Sequence, residues 1–181
     1  MLRDILETVI IAAIISWVLI TFVVQAFYIP SSSMEPTLEP GDRIFVNKFI
    51  YSFRDLKRQE LVVFRYPEDP DQHFVKRIIG LPGDEVKIEQ GQVEVNGEKL
   101  TEPYVEKEDF SYYPQEEIPE GKYFVLGDNR TNSQDSRYWG YVPEENIIGL
   151  PFVIFWPPGR IRMLGGDING YSLVPTPYGE S

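Results

Sequence analysis

A chain of 181 residues has room for one domain, or for one domain and an appendage. Hydrophobic side chains make up 43% and charged ones 25%, which excludes a disordered acidic tail and a multi-span membrane protein. A balance of 17 basic to 28 acidic residues, net −11, argues against a nucleic-acid partner, which needs a basic footprint.

Cysteine is absent, so disulfides, thiolate zinc sites and cysteine nucleophiles drop out. His73 is the single histidine, too few for a two-histidine metal site. What remains is serine, lysine and carboxylate chemistry, with no metal or organic cofactor expected.

The first element is apolar. No charged side chain occurs between Thr8 and Met34, and Val9 to Val24 (VIIAAIISWVLITFVV) is almost continuously hydrophobic. At 1.5 Å per residue, about 20 residues cross a hydrocarbon core of roughly 30 Å, so residues 8–27 are expected to form a transmembrane anchor behind a leader at 1–7. A buried core helix would need a polar stripe for water, and none is present. A cleavable signal peptide, cut after Val24-Gln25-Ala26, is the alternative. Against it, Asp4 and Glu7 beside Arg3 leave no clear basic n-region.

From residue 28 the texture changes to short strand-like runs broken by Pro and Gly. Strands are predicted at Asp42–Lys48, Leu61–Tyr66, Phe74–Gly80, Glu85–Ile88, Gln92–Asn96 and Lys122–Leu126, with two more in Ile147–Trp156 split near Pro151. Asn96-Gly97 is a type I′ hairpin signal. The acidic, aromatic stretch 101–120 reads as an irregular, solvated excursion without chemistry. The class is mainly β: a single N-terminal transmembrane helix, a β-rich domain over 28–163 carrying a small hairpin and loop insertion at 85–121, and a loosely ordered tail at 164–181.

Three clusters are chemically loaded. Pro30-Ser31-Ser32-Ser33-Met34-Glu35-Pro36-Thr37-Leu38 follows the anchor closely, and its prolines with Met34 and Leu38 make it stiffer than a Gly/Ser linker. In Phe74-Val75-Lys76-Arg77-Ile78-Ile79, two cations interrupt an apolar strand. Alternation puts Lys76 with Phe74 and Ile78, where desolvation would lower its pKa, and Arg77 opposite. Bringing that amine to about 8 costs roughly 3 kcal/mol of differential solvation. A lysine snorkelling to water is the plainer reading.

The third cluster, Gly127 to Gly140 (GDNRTNSQDSRYWG), is dense in hydrogen-bonding side chains. As a calcium loop it fails, because Arg130 falls at a ligand position and Ser133 where the turn glycine belongs. It reads as a buried polar network in which Asp135 pairs with Arg137 or Arg77. No Ser-x-x-Lys arrangement, Gly-x-Ser-x-Gly elbow or phosphate-binding glycine loop is present. That leaves Ser33 or a neighbour paired across the fold with Lys76.

Five motifs in order, IPSSSMEPTL, GDRIFVNKF, ELVVFRYP, FVKRIIGLPGDEV and GDNRTNSQDSRYWGYVP, resemble bacterial type I signal peptidases, membrane-bound serine–lysine proteases. Ser32 stands where that family often has glycine, and the insertion is short. The resemblance implies Ser33 as nucleophile and Lys76 as general base, with the Ser33 backbone N–H and the Ser31 hydroxyl as the oxyanion hole. It implies Ser133 orienting the Lys76 amine, and Asp135 and Arg137 supporting the loop. Phe27, Ile29, Pro30 and Val75 would line shallow pockets for small residues at −1 and −3. The implied substrates are signal peptides of exported preproteins. The implied location is the cytoplasmic membrane, single-pass, with the amino terminus in the cytoplasm and the catalytic domain outside. A cytosolic self-cleaving Ser-Lys peptidase, a tethered binding domain and a hydrolase using His73 are the rival readings.

Overall fold

The computed structural model describes residues 6–13, 16, 23–107 and 109–164. Residues 14, 15 and 17–22 of the expected anchor, the first five residues of the leader and the tail beyond Leu164 therefore lie outside the described residues. Residues 6–13 are helical, and among the described residues no helix is long and apolar enough to cross a membrane.

Among the described residues twelve strands follow: β1 (Val24–Tyr28), β2 (Arg43–Asn47), β3 (Leu61–Tyr66), β4 (Asp69–Gly80), β5 (Glu85–Glu89), β6 (Gln92–Val95), β7 (Glu98–Lys99), β8 (Tyr113–Glu117), β9 (Lys122–Leu126), β10 (Val142–Pro143), β11 (Ile147–Trp156) and β12 (Arg162–Met163). One short helix, α1 (Ser136–Trp139), lies between β9 and β10. The larger sheet runs β1-β2-β11-β3-β4-β9-β10, with β12 also on β11, and the smaller runs β7-β6-β5-β8.

β3 shows why the larger sheet holds together. Its run Leu61-Val62-Val63-Phe64 is buried throughout, because β11 and β4 flank it and both faces are covered. Leu61 and Val63 join Ile29, Met34, Leu38, Ile44, Val46 and Ile154 in one core. Val62 and Phe64 join Ile78, Val125 and Val142 in a second. On β9 the alternation continues: Tyr123 and Val125 face that second core, while Phe124 and Leu126 face a third built with the smaller sheet. The smaller sheet thus packs on the end of β4 and β9, below the part of β4 that carries Lys76.

Three expectations need correction. Val24 to Phe27 are strand, not helix: β1 pairs antiparallel with β2, Val24 opposite Asn47 through Tyr28 opposite Arg43. The edge of β2 offers hydrogen bonds that a β-branched and aromatic segment takes up as readily as a helix. The Ile147–Trp156 run is one strand rather than two. Pro151 falls where β11 passes from β3 to β2, and register shifts absorb it without ending the strand. The stretch 101–120 is not structureless, since its second half forms β8, an edge strand on β5 that tolerates Pro114. The Asn96-Gly97 turn has φ of 55° and 79°, the positive pair that a type I′ hairpin needs. Leu164, the first residue of the expected tail, is tied down by its N–H to the Phe152 carbonyl at 2.8 Å.

Candidate active site

The serine run leaves β1 through Ile29, which is buried, and turns back at once. Met34 and Leu38 plug the first core, and the Leu38 N–H donates to the Met34 carbonyl at 2.8 Å. Ser31, Ser32 and Ser33 are thus held between two buried residues, Ile29 and Met34. The 127–136 loop clamps the turn from the other side. Asn129 donates its backbone N–H to the Ser33 carbonyl at 3.1 Å and its side-chain amide to the Ser32 carbonyl at 3.1 Å. Asn132 donates to Ser32 Oγ at 2.8 Å. The two segments meet so closely at Gly127 that a Cβ there would lie 2.5 Å from the Ser33 carbonyl oxygen and 2.2 Å from Ser133 Oγ.

Lys76 sits on β4 opposite Val62, with 3% of its surface exposed. Its Nζ donates to Ser33 Oγ at 2.6 Å. Burial pushes the amine down to about 8, against weaker opposing pulls from Asp135 and Asp128. Neither carboxylate is available as its partner. Asp128 is held by Arg77 through Nε at 2.8 Å and Nη2 at 2.6 Å, and Asp135 by Arg137 through Nε at 2.8 Å and Nη2 at 2.9 Å. Arginine stays charged and its fork matches a carboxylate, so it wins both acids from the lysine. The amine is left almost fully buried next to a hydroxyl, with no carboxylate of its own among the described residues.

Asp135 does more than pair with Arg137. It accepts from the Gly127 N–H at 3.0 Å, which braces the turn against which Ser33 rests. Ser31 Oγ lies 3.4 Å from Ser33 Oγ. Phe27, Ile29, Pro30 and Val75 line a cleft of about 590 Å³ whose wall also includes Ser31, Ser33, Lys76 and Ser133. His73 is at its rim, exposed, with its ring edge-on to Phe27 at 5.6 Å.

One expected contact is not made. Ser133 is buried beside the Gly127 turn, but its hydroxyl has no hydrogen-bond partner among the described residues and does not bond the Lys76 amine. Asp135 takes Arg137, and Arg77 goes to Asp128 instead. Sequence reasoning missed Asp128, Thr37, which donates to Asp128, and the buried Arg130, whose Nε donates to the Gly127 carbonyl at 3.0 Å. It also missed Glu102 and Asp109, which pair with Arg130 and Arg137. The available signal was that Arg77, Arg130 and Arg137 outnumber by one the two acids of the last motif, Asp128 and Asp135. Among the described residues, no group of His, Cys, Asp or Glu is arranged to hold a metal ion.

Chemically, an amine that is half neutral near pH 8 and touching a serine hydroxyl can take its proton as the oxygen attacks a carbonyl. A serine hydroxyl on a buried lysine amine, beside an open cleft, is the kind of site found in serine hydrolases. The chain belongs to the family "Signal peptidase, peptidase S26", whose pattern matches residues 2–156.

Its relatives agree. It is 48% identical over 177 residues to a "Probable signal peptidase I-2" from Synechocystis sp., covering 94% of this chain and 81% of that protein. It is 45% identical over 152 residues to a "Signal peptidase I" from Leptolyngbya laminosa, covering 80% and 75%. A crystal structure of a signal peptidase I from Enterococcus faecalis is similar over 54% of this chain and 97% of its own, with 32% identity and a TM-score of 0.47. The family assignment rests on the sequence relatives.

Proposed function

We propose that Ser33 and Lys76 carry out the reaction of this family, the hydrolytic removal of signal peptides from preproteins, as nucleophile and general base. The observation that carries this reading is the 2.6 Å contact between Ser33 Oγ and a buried lysine amine whose neighbouring carboxylates are both taken by arginines.

The steps balance on these two residues. The Ser33 proton passes to neutral Lys76 Nζ as Oγ attacks the scissile carbonyl carbon. The oxyanion rests on the Ser33 N–H and the Ser31 hydroxyl, donors of a kind worth roughly 3 to 4 kcal/mol each when preorganised. Collapse breaks the C–N bond, and the Lys76 ammonium returns the proton to the leaving amine. A water, deprotonated by Lys76, then attacks the acyl carbonyl carbon; the C–O bond to Ser33 breaks and the ammonium returns the proton to Ser33 Oγ. Asp128 and Asp135 act through their arginines, holding the loop in place. Phe27, Ile29, Pro30 and Val75 form apolar walls close to Ser33 that accept small side chains and exclude larger ones by clash.

The apolar run Thr8–Val23 anchors the chain in a bilayer, with the amino terminus in the cytoplasm and the cleft on the other side. Ser33 follows that run closely in sequence, so the cleft opens near the membrane surface, where a signal peptide's cleavage region also lies. β1 begins at Val24, so the apolar run from Thr8 is 16 residues, roughly 24 Å as a helix, a mismatch that a bilayer meets by local thinning.

The test is cleavage of a purified preprotein by the full chain in detergent or liposomes, followed by sequencing of the mature amino terminus. The expected result is one cut after a small residue with a small residue two positions earlier, and no cut by folded Ser33→Ala. Cleavage by Ser33→Ala, or cuts after large residues, would overturn the reading.

A further inference from the structure

Within the insertion, residues 101–107 and 109–111 lie against the 127–136 loop and contact three arginines. Arg77, which holds Asp128, has the Tyr104 ring 3.8 Å from its guanidinium carbon. Arg130, only 3% exposed and bonded to the Gly127 carbonyl, has both terminal nitrogens on the Glu102 carboxylate. Arg137, which holds Asp135, gives its remaining nitrogen to Asp109 Oδ2 at 3.2 Å and Ser111 Oγ at 3.1 Å. Glu102 is fixed in turn by the Tyr104 hydroxyl at 3.0 Å. Each arginine that grips the loop on its inner side is thus gripped by the insertion on its outer side.

Both ends of the segment are seated on turns that border the sheets. Gln59 donates to the Thr101 carbonyl at 2.9 Å, next to the Gln59 carbonyl that accepts from Arg77. At the other end, the Gly91 N–H in the β5–β6 turn donates to the Ser111 carbonyl at 3.0 Å. A Cβ on Gly91 would lie 1.9 Å from the Asp109 carbonyl oxygen, and φ there is +76°, so the seat accepts only glycine.

We propose that segment 101–111 is a positioning strap, in which Glu102, Asp109 and Ser111 keep the 127–136 loop closed over Lys76 and so keep the base dry. This rests on Ser33 and Lys76 being the reacting pair. The charged groups facing Lys76 are Asp128 and Asp135, each occupied by an arginine, and Arg137 itself; Ser33 is its hydrogen-bond partner. Loosening the strap frees the arginines, opens the loop and admits water to the amine. The ammonium form gains, and less of the lysine is neutral at a given pH.

The experiment measures kcat and KM across pH for the full chain and for Asp109→Ala and Glu102→Gln, with exposed Phe110→Ala as control. In the strap variants kcat at pH 7 is expected to fall about tenfold with KM within about twofold, and the acid limb to move up by about one pH unit. Phe110→Ala should match wild type. Asp109→Asn, which removes the charge without changing volume, replaces Asp109→Ala if the latter is recovered unfolded. An unmoved acid limb in folded strap variants would overturn the proposal, as would a rise in KM at constant kcat. A wild-type enzyme with no acid limb near pH 8 would instead overturn the Ser33–Lys76 reading on which the strap depends.

Discussion

The Lys76 amine and the Ser33 hydroxyl, 43 positions apart in sequence, lie 2.6 Å apart because β4 and the turn after β1 are gripped by the same loop. The contact makes the lysine costly as well as useful. Its pKa of about 8 in the fold, against 10.5 when solvated, means that below pH 8 both folded and unfolded chains carry the charge but only the fold buries it. The penalty is roughly 3 kcal/mol there, is released as pH rises from 8 to 10.5, and is gone above that.

Lys76→Met should therefore abolish cleavage and stabilise the fold, by about 1 to 3 kcal/mol at pH 7 and by nothing at pH 11. Denaturation of the two proteins in the same detergent at both pH values checks it. A less stable Lys76→Met at pH 7 would mean that the lysine contributes structure rather than strain.

Gly127→Ala adds one methyl group where the Ser33 backbone carbonyl leaves no room. The serine turn must shift by several tenths of an ångström, and kcat/KM should fall about a hundredfold or more. The Ser133 hydroxyl can rotate away, whereas the Ser33 carbonyl at 2.5 Å and the Ser133 Cβ at 2.6 Å cannot, so Gly127→Ala combined with Ser133→Ala should recover little. Full recovery in the double variant would place the clash at Ser133 alone.

Asp128→Ala strands the Arg77 guanidinium in a buried site and should cost about 3 to 5 kcal/mol of stability. Pairing it with Arg77→Met should restore much of that loss, because the buried charge goes as well. Equal, additive losses in a double-mutant cycle would show that the pair does not act as a unit.

His73→Ala should leave cleavage within about threefold of wild type, since the imidazole packs on Phe27 at the rim and the base on Ser33 is an amine. A loss of about a thousandfold would put the histidine in the chemistry and Lys76 out of it.

Much of this arrangement is legible without coordinates, and the parts that are not share a cause. β3 and β9 are continuous apolar runs with turn residues at each end, and the structure bounds them where the sequence does. Lys76 stands out because a cation among Phe74, Val75, Ile78 and Ile79 has no local reason to be there. β1 is not legible, since Val24-Gln25-Ala26-Phe27-Tyr28 suits a helix or an edge strand equally, and only the edge of β2 decides. The strap is hidden for a related reason. Glu102 and Asp109 look like solvated acids until the fold brings each to an arginine 28 positions away. Ser133 is the opposite case, a residue whose position in a resembling motif suggested a hydrogen bond that its side chain does not make.

The most direct measurement is the pH dependence of kcat/KM for preprotein cleavage by wild type, Lys76→Ala and Lys76→Arg. Neutral lysine is the working form, so the wild-type rate should fall tenfold per pH unit below an inflection near 8 and level off above it. Lys76→Arg keeps the charge but cannot deprotonate at working pH, so it should be as inactive as Lys76→Ala while remaining folded. An active Lys76→Arg with the same pH profile would contradict the assignment and require another base for Ser33.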